Sequence, residues 1–262
     1  MNLRLIPGAV YLPKDDESKP RGEDAHFICV DEHTIGVADG VGGWARKGVD
    51  SGEYARELMN NSVMAVYSEP KGAVNPLMVL NKAYSNTKAE GSSTACIVTL
   101  TGQWLYAVNV GDSGFVVVRE GKVIYRSPVQ QRSFNCPYQL GNSKKCDRPS
   151  KAKVFKVVVE AGDVIVAGSD GLFDNMFKHE IGETVLQGTK SCMEAQSLAC
   201  RIAGLALYNS FNRYASTPFM KAARKAGRIH RGGKIDDITV VVAYVVSSDA
   251  STHSLKYESC KY

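Results

Sequence analysis

No Cys-x-x-Cys pair occurs in this sequence. The seven cysteines stand at positions 29, 96, 136, 146, 192, 200 and 260, an odd number, and Cys29 and Cys96 lie inside apolar runs. That spacing excludes a disulfide framework and a thiolate zinc site, and it is the usage of a reducing, intracellular compartment. Long hydrophobic runs are missing too. The longest, Val240–Val246, falls far short of the roughly 20 residues a membrane helix requires. The opening Met1-Asn-Leu-Arg-Leu-Ile-Pro has neither the length nor the pattern of a signal peptide, so a soluble protein that is not secreted is expected. Charge of one sign is scarce, with 32 Lys+Arg against 27 Asp+Glu and aromatic residues at 8%. A nucleic-acid binder carries a denser basic stripe with interleaved aromatics, so no nucleic-acid partner is expected. Internal repeats and low-complexity linkers are absent, and 262 residues at 44% hydrophobic content suffice for one domain with a sizeable core.

What is present is a series of short β-branched runs. They predict strands at Thr94–Leu100, Trp104–Val110, Gly114–Val118, Lys122–Tyr125, Lys153–Val159, Asp163–Ser169 and Ile238–Val246. Gly111-Asp112-Ser113-Gly114 and Glu120-Gly121 are connections too short for a parallel crossover, so antiparallel hairpins are expected. Val164-Ile-Val-Ala and Thr239-Val-Val-Val-Ala are apolar on both faces and need cover on both sides. Helical signals fall in two groups, 51–90 and 178–226: a helix capped by Ser51, one opened by Asn75-Pro76, one with a Ser191/Glu194 capping box, and one opened by Thr217-Pro218. That order implies an α+β layered domain. The whole chain, 1–262, is read as a single domain with its core at about 20–246. A polar, basic segment at 130–153 is expected to be an exposed excursion, and 247–262 a short tail. The basic stretch Lys221–Lys234 is expected to be solvated, with a substrate-facing rim as the alternative.

Acidic residues recur beside glycine at the ends of these apolar runs. The places are Gly22-Glu23-Asp24, Ala38-Asp39-Gly40, Gly111-Asp112-Ser113, Ser169-Asp170-Gly171 and Lys234-Ile235-Asp236-Asp237. One Asp-Gly alone is an ordinary hairpin turn. Five such places, without His or Cys ligand sets, point to hard cations bound through oxygen, Mg²⁺ or Mn²⁺. Two such ions about 3.5–4 Å apart clamp phosphoryl transfer. Neither Gly-x-x-x-x-Gly-Lys-Ser/Thr, nor Gly-x-Gly-x-x-Gly, nor Gly-x-Ser-x-Gly occurs, which leaves P-loop, dinucleotide and serine-hydrolase chemistry without support. From the residues alone, a dimetal phosphoester hydrolase is expected.

In order along the chain stand Gly22-Glu-Asp-Ala-His26, Val37-Ala-Asp-Gly-Val-Gly-Gly43, Gly91-Ser-Ser-Thr-Ala95, Asn109-Val-Gly-Asp-Ser113, Ala167-Gly-Ser-Asp-Gly-Leu-Phe-Asp174 and Asp236-Asp-Ile-Thr239. This series resembles the protein phosphatase 2C family of metal-dependent Ser/Thr phosphatases, across about residues 20–245. Gly-Val-Gly-Gly-Trp44 and Ser-Gly-Glu-Tyr-Ala-Arg-Glu-Leu resemble its organelle branch. The resemblance implies a four-layer α-β-β-α sandwich with a metal site at one end. It implies Asp39 as the carboxylate bridging two ions and Gly40 as a carbonyl donor. Asp170 and Asp236 would hold the second ion, Glu23 and Asp24 form the first acidic motif, and Asp112 would help hold a weaker third ion. Asp237 is counted with this ligand set. Asp39, Asp170 and Asp236 would carry the catalysis, in which metal-activated water attacks phosphorus without a phospho-enzyme.

Two positions depart from the family pattern. Val41 stands where many members have a histidine general acid. Lys19 stands where many have a phosphate-gripping arginine, with Arg21 two residues on, and Lys is a point charge without Arg's fork. Lys19 and Arg21 are therefore both kept as phosphate-binding candidates. His26 is open between proton donor and packed histidine. Ser113 is expected to be a turn residue, since no base accompanies it. Phosphorylated proteins are the expected substrates of a monomer that does not insert into membranes. Intact Asp39, Asp170 and Asp236 weigh against the alternative of a non-catalytic binding protein, while a phosphatase for small phosphoesters stays open because nothing in the sequence sets substrate size. The compartment stays open among cytoplasm, nucleus and, after loss of a transit peptide, chloroplast or mitochondrion.

Overall fold

The computed structural model describes residues 3–248; the expected tail lies outside the described residues from 249 onward. Among the described residues, fourteen strands and six α-helices follow one another. The strands are β1 (Leu3–Leu12), β2 (Asp24–Cys29), β3 (Thr34–Asp39), β4 (Ser92–Ser93), β5 (Ala95–Thr101), β6 (Trp104–Val110), β7 (Gly114–Arg119), β8 (Lys122–Arg126), β9 (Gln131–Ser133), β10 (Cys136–Pro137), β11 (Leu140–Gly141), β12 (Lys153–Val158), β13 (Val164–Gly168) and β14 (Ile238–Ser247). The helices are α1 (Ser51–Ser68), α2 (Pro76–Asn86), α3 (Asp170–Phe173), α4 (Lys178–Lys190), α5 (Ala195–Phe211) and α6 (Pro218–Lys225).

Two five-stranded antiparallel sheets carry the domain, ordered β1-β14-β13-β7-β8 and β12-β6-β5-β3-β2. Period-two alternation sends Val241, Ala243 and Val245 of β14 between the sheets, against Val37, Val98 and Phe115. The intervening Ile238, Val240 and Val242 meet Ile202, Ala203 and Ala206 of α5. The other sheet packs its outer face on α1 and α2 through Phe27, Ile97, Leu58 and Leu80. The layers are therefore helix, sheet, sheet, helix, and both faces of each sheet are covered, as the two-sided apolar runs require.

Seven strands escape the β-branched signal, and four of them, β4, β9, β10 and β11, are only two or three residues long. β1 holds Pro7 and Gly8, which normally argue against a strand. It pairs only with β14 and is thus a sheet edge, where a missing N–H is tolerated. At Gly8 a Cβ would lie 2.2 Å from the backbone nitrogen of Gln196, so α5 crosses where only glycine fits. β2 and β3 are short and end in the acids of the motifs.

Helix starts depart in two places. Asp50, not Ser51, caps α1 by accepting from the Gly52 N–H at 2.8 Å; the Ser51 hydroxyl donates to the Val41 carbonyl. The Ser191/Glu194 box does not form, because Ser191 ends α4, Cys192 turns left-handed (φ +52°) and α5 starts after Glu194. Asn75 and Thr217 cap α2 and α6 as expected. Segment 130–153 also differs from an exposed excursion. Leu140, Asp147 and Pro149 are buried, β11 pairs with β4, and Asp147 takes Arg132 at 2.5 Å and the Gln139 N–H at 3.0 Å. One apolar anchor and one buried carboxylate tie down a segment whose composition is polar.

The loop between β1 and β2 is fastened where Gly22 adopts φ +60°. A Cβ there would meet the Tyr11 hydroxyl at 1.8 Å and Asp237 Oδ1 at 2.3 Å. Gly22→Ala should therefore cost about 2–3 kcal/mol. In a thermal melt that is a fall of roughly 5–10 °C; an unchanged Tm would contradict the fastening.

Candidate metal centre

Chain ends of both sheets meet at one end of the sandwich. Asp24 opens β2 and is paired with Asp39 at the end of β3. Asp112 lies in the β6–β7 turn, Asp170 opens α3 directly after β13, and Asp236 and Asp237 precede β14. Glu23, Asp24, Asp112, Asp170 and Asp237 are buried, while Asp39, Asp174 and Asp236 are half-buried. Gly40 donates to the Glu23 carbonyl at 3.0 Å, and a Cβ there would stand 2.7 Å from that same oxygen. Only glycine lets the two acidic loops approach so closely.

Burial and mutual repulsion raise the carboxyls. Asp39 is held well above the usual carboxylate range by burial, then by Asp170, Asp24, Asp236 and Asp112. Asp24 is raised by burial, then by Asp237. Burial and Asp170 push Asp112 up to about 7; burial, opposed by Lys234, takes Asp174 to about 7. Asp236 runs the other way: burial alone would raise it, but the ammoniums of Lys234 and Lys14 hold it below the usual range.

Known proteins are similar to this chain in sequence and fold. The chain is 53% identical over 246 residues to "Probable protein phosphatase 2C 55" and 50% identical over 248 residues to "Probable protein phosphatase 2C 80", both of Arabidopsis thaliana, with 94% of this chain covered each time. The X-ray structure of the photosystem II phosphatase PBCP superposes with a TM-score of 0.85 at 33% identity, covering 92% of this chain and 98% of that one. The chain belongs to the protein phosphatase 2C family. It spans 53% and 60% of the two Arabidopsis relatives' own lengths. No family model matches it. At the level of fold alone it is similar to the catalytic domain of the serine/threonine protein phosphatase PstP in complex with two manganese ions, at 20% identity and a TM-score of 0.64.

Within this acidic cluster, cations of the chain's own lie among the carboxylates. Lys14 Nζ stands 3.2 Å from Glu23, 3.5 Å from Asp236 and 3.7 Å from Asp237. Lys234 Nζ contacts Asp170, and Asp174 and Asp236 at 3.0 Å each. Lys19 reaches Glu23 Oε1 at 2.6 Å. Arg21 is not brought in: its guanidinium is 69% exposed and faces Glu53 at 3.3 Å, in a cleft of about 790 Å³ shared with His26 and Arg56. His26 belongs to that cleft, and burial lowers its imidazole pKa.

Asp237 departs from the ligand set. Its carboxylate accepts from the backbone N–H groups of Lys14 (2.9 Å) and Glu23 (3.0 Å) and from Tyr11 Oη (3.2 Å), so it fastens the β1–β2 loop to β14. Ser113 is a turn residue: its hydroxyl meets Thr94 Oγ1 at 2.6 Å, and Thr94 Oγ1 accepts from the Asp39 N–H. Sequence reasoning missed Lys14, Lys234 as a site residue, Asp174 as a participant and Arg56, which donates to the Gly22 carbonyl at 2.9 Å. Asp174 closes the quoted Ser-Asp-Gly-Leu-Phe-Asp motif, one helical turn after Asp170, and that i,i+4 spacing was the available signal.

Among the described residues no group of three or more His, Cys, Asp or Glu side chains stands arranged to hold a metal ion. The donors nevertheless fit a hard dication. All are oxygens, and Asp24, Asp112 and Asp170 each keep one buried Oδ1 without a hydrogen-bond partner, an arrangement costly in a protein interior. A carboxyl raised by the fold stabilises the folded state below its unfolded pKa of about 4, and that contribution is lost as pH rises through the folded value. With Asp112 and Asp174 at about 7, the protein in chelator should melt at lower temperature at pH 8 than at pH 5. Asp112→Asn should flatten part of that slope. Melts across pH in EDTA check this; a Tm that rises from pH 5 to 8 would contradict it.

Proposed function

We propose that this chain is an Mg²⁺- or Mn²⁺-dependent phosphatase that hydrolyses phosphoserine and phosphothreonine in proteins. The observation that carries the reading is the convergence of Asp24, Asp39, Asp112, Asp170 and Asp236 with three buried carboxylate oxygens left unpartnered. Asp39, Asp170 and Asp236, with Glu23, Asp24 and the Gly40 carbonyl, would hold two ions, and Asp112 a weaker third. A divalent cation held there would supply an acidified water, with a pKa of about 7, and neutralisation of phosphoryl oxygens.

The chain's own residues prepare that chemistry. β3 and β13 deliver Asp39 and Asp170 on rigid strand ends, so little reorganisation is needed. Thr94, locked to Ser113, fixes the Asp39 backbone. Lys19, only 13% exposed and already beside Glu23, is the better placed of the two cations for gripping a phosphate. Arg21 would meet a substrate at the rim. No histidine of the described residues takes the place of a general acid at Val41, whose N–H donates to the Ser92 carbonyl. The likeness to a photosystem II phosphatase favours an organelle among the compartments left open.

The test is phosphate release from a phosphothreonine peptide and from an aryl phosphate, in EDTA and with Mn²⁺ or Mg²⁺ restored. Activity should vanish in EDTA and return with metal. Asp39→Asn should lower turnover by on the order of 10³-fold or more. Asp112→Asn should mainly raise the Mn²⁺ concentration required. Hydrolysis that survives exhaustive chelation, or near-normal turnover by folded Asp39→Asn at modest Mn²⁺, would overturn the proposal.

A further inference from the structure

Lys221, Arg224, Lys225, Arg228 and Arg231 face solvent, but Lys234, at the end of the same basic stretch, turns inward and is 15% exposed. Its backbone is clamped at both ends by one buried side chain. The Lys234 N–H donates to Asn175 Oδ1 at 2.9 Å, and its carbonyl accepts from Asn175 Nδ2 at 2.8 Å. Asn175 is fully buried and also donates to the Gly171 carbonyl at 2.9 Å. Above the ammonium lies the Phe219 ring, 5.3 Å away, itself packed on His230 and Phe134. The fold therefore aims this stem at the acids.

An ammonium has three donors and no acceptor. Asp170, Asp174 and Asp236 are the three carboxylates around it, and together they raise Lys234 well above the ordinary lysine range despite burial. Two of the three, Asp170 and Asp236, are ligands in the reading under Proposed function, on which this inference rests. An ammonium and a dication cannot share those oxygens at contact distance without strong repulsion. The lysine is also an incomplete partner, because Oδ1 of Asp170, which it contacts, stays unsatisfied, as do Oδ1 of Asp24 and of Asp112 elsewhere in the cluster. We infer that Lys234 is a built-in counter-ion of the acidic end: it neutralises Asp170, Asp174 and Asp236 in the metal-free chain and yields them to a divalent cation. The competition allows the chain to fold without metal and weakens its metal affinity.

The test compares wild type with Lys234→Met by thermal melts in EDTA and in saturating Mn²⁺, and by calorimetric Mn²⁺ titration. Removing one partner of a buried ion cluster leaves uncompensated charge, so the variant should melt about 5 °C or more lower in EDTA. At saturating Mn²⁺ that deficit should close to within about 2 °C, and the Mn²⁺ Kd should fall by on the order of tenfold. A variant that folds only with Mn²⁺ present supports the same conclusion. If Lys234→Met folds under neither condition, Lys234→Gln takes its place, with the same two shifts expected. Equal deficits in EDTA and in Mn²⁺, or a Kd that is unchanged or weaker, would overturn the inference. A wild type that binds no Mn²⁺ would instead remove the metal reading, and the counter-ion role with it.

Discussion

Like-charge repulsion among Asp24, Asp39, Asp112 and Asp170 is the constraint around which this sandwich is built. Each acid belongs to a different part of the chain, and none would approach the others in water. The two sheets supply the force that brings them together. Apolar burial between β5, β6, β7, β13 and β14 far exceeds the cost of crowding a few carboxylates, at about 25 cal/mol per Å² of apolar surface removed from water. The acids sit at strand ends, where rigid backbone prevents them from relaxing apart. Their raised carboxyls express burial first and that repulsion second, and a cation relieves both.

Several polar ties keep the loops that carry the acids in place. Asp237 gathers the Lys14 and Glu23 amides and the Tyr11 hydroxyl, and Arg56 reaches from α1 to the Gly22 carbonyl while pairing with Asp50, the cap of its own helix. Ser113 and Thr94 brace Asp39 from the neighbouring loops. On the far side, Trp44 donates to Ser92 Oγ, which donates to Gln139. Half-buried Gln139 of segment 130–153 thereby steadies the glycine-rich turn after Asp39. These groups touch no reacting atom; they position the groups that would.

Much of this was legible in the residues. The central strands announced themselves through β-branched runs buried on both faces, and the acidic places were marked by glycine at run ends. The edge strand β1 was hidden because Pro7 and Gly8 carry tertiary meaning: an unpaired edge and a crossing helix. Ser191 and Glu194 fit a capping box by spacing, but the left-handed turn at Cys192 moves the helix start. Asp237 and Asp236 are indistinguishable in a motif, and only the fold gives one to backbone amides and the other to the acid cluster. Lys14 and Lys234 were invisible for a related reason. A lysine in a polar stretch reads as solvated until the backbone is seen to aim it inward.

The proposed role of these carboxylates is to form a divalent-cation site. Anomalous diffraction from crystals grown with Mn²⁺ tests it most directly. Manganese peaks are expected against Asp39, Asp170 and Asp236, with the Lys234 ammonium withdrawn from Asp170. Well-ordered crystals in excess Mn²⁺ that show no peak there, with Lys234 still seated between Asp170, Asp174 and Asp236, would contradict it.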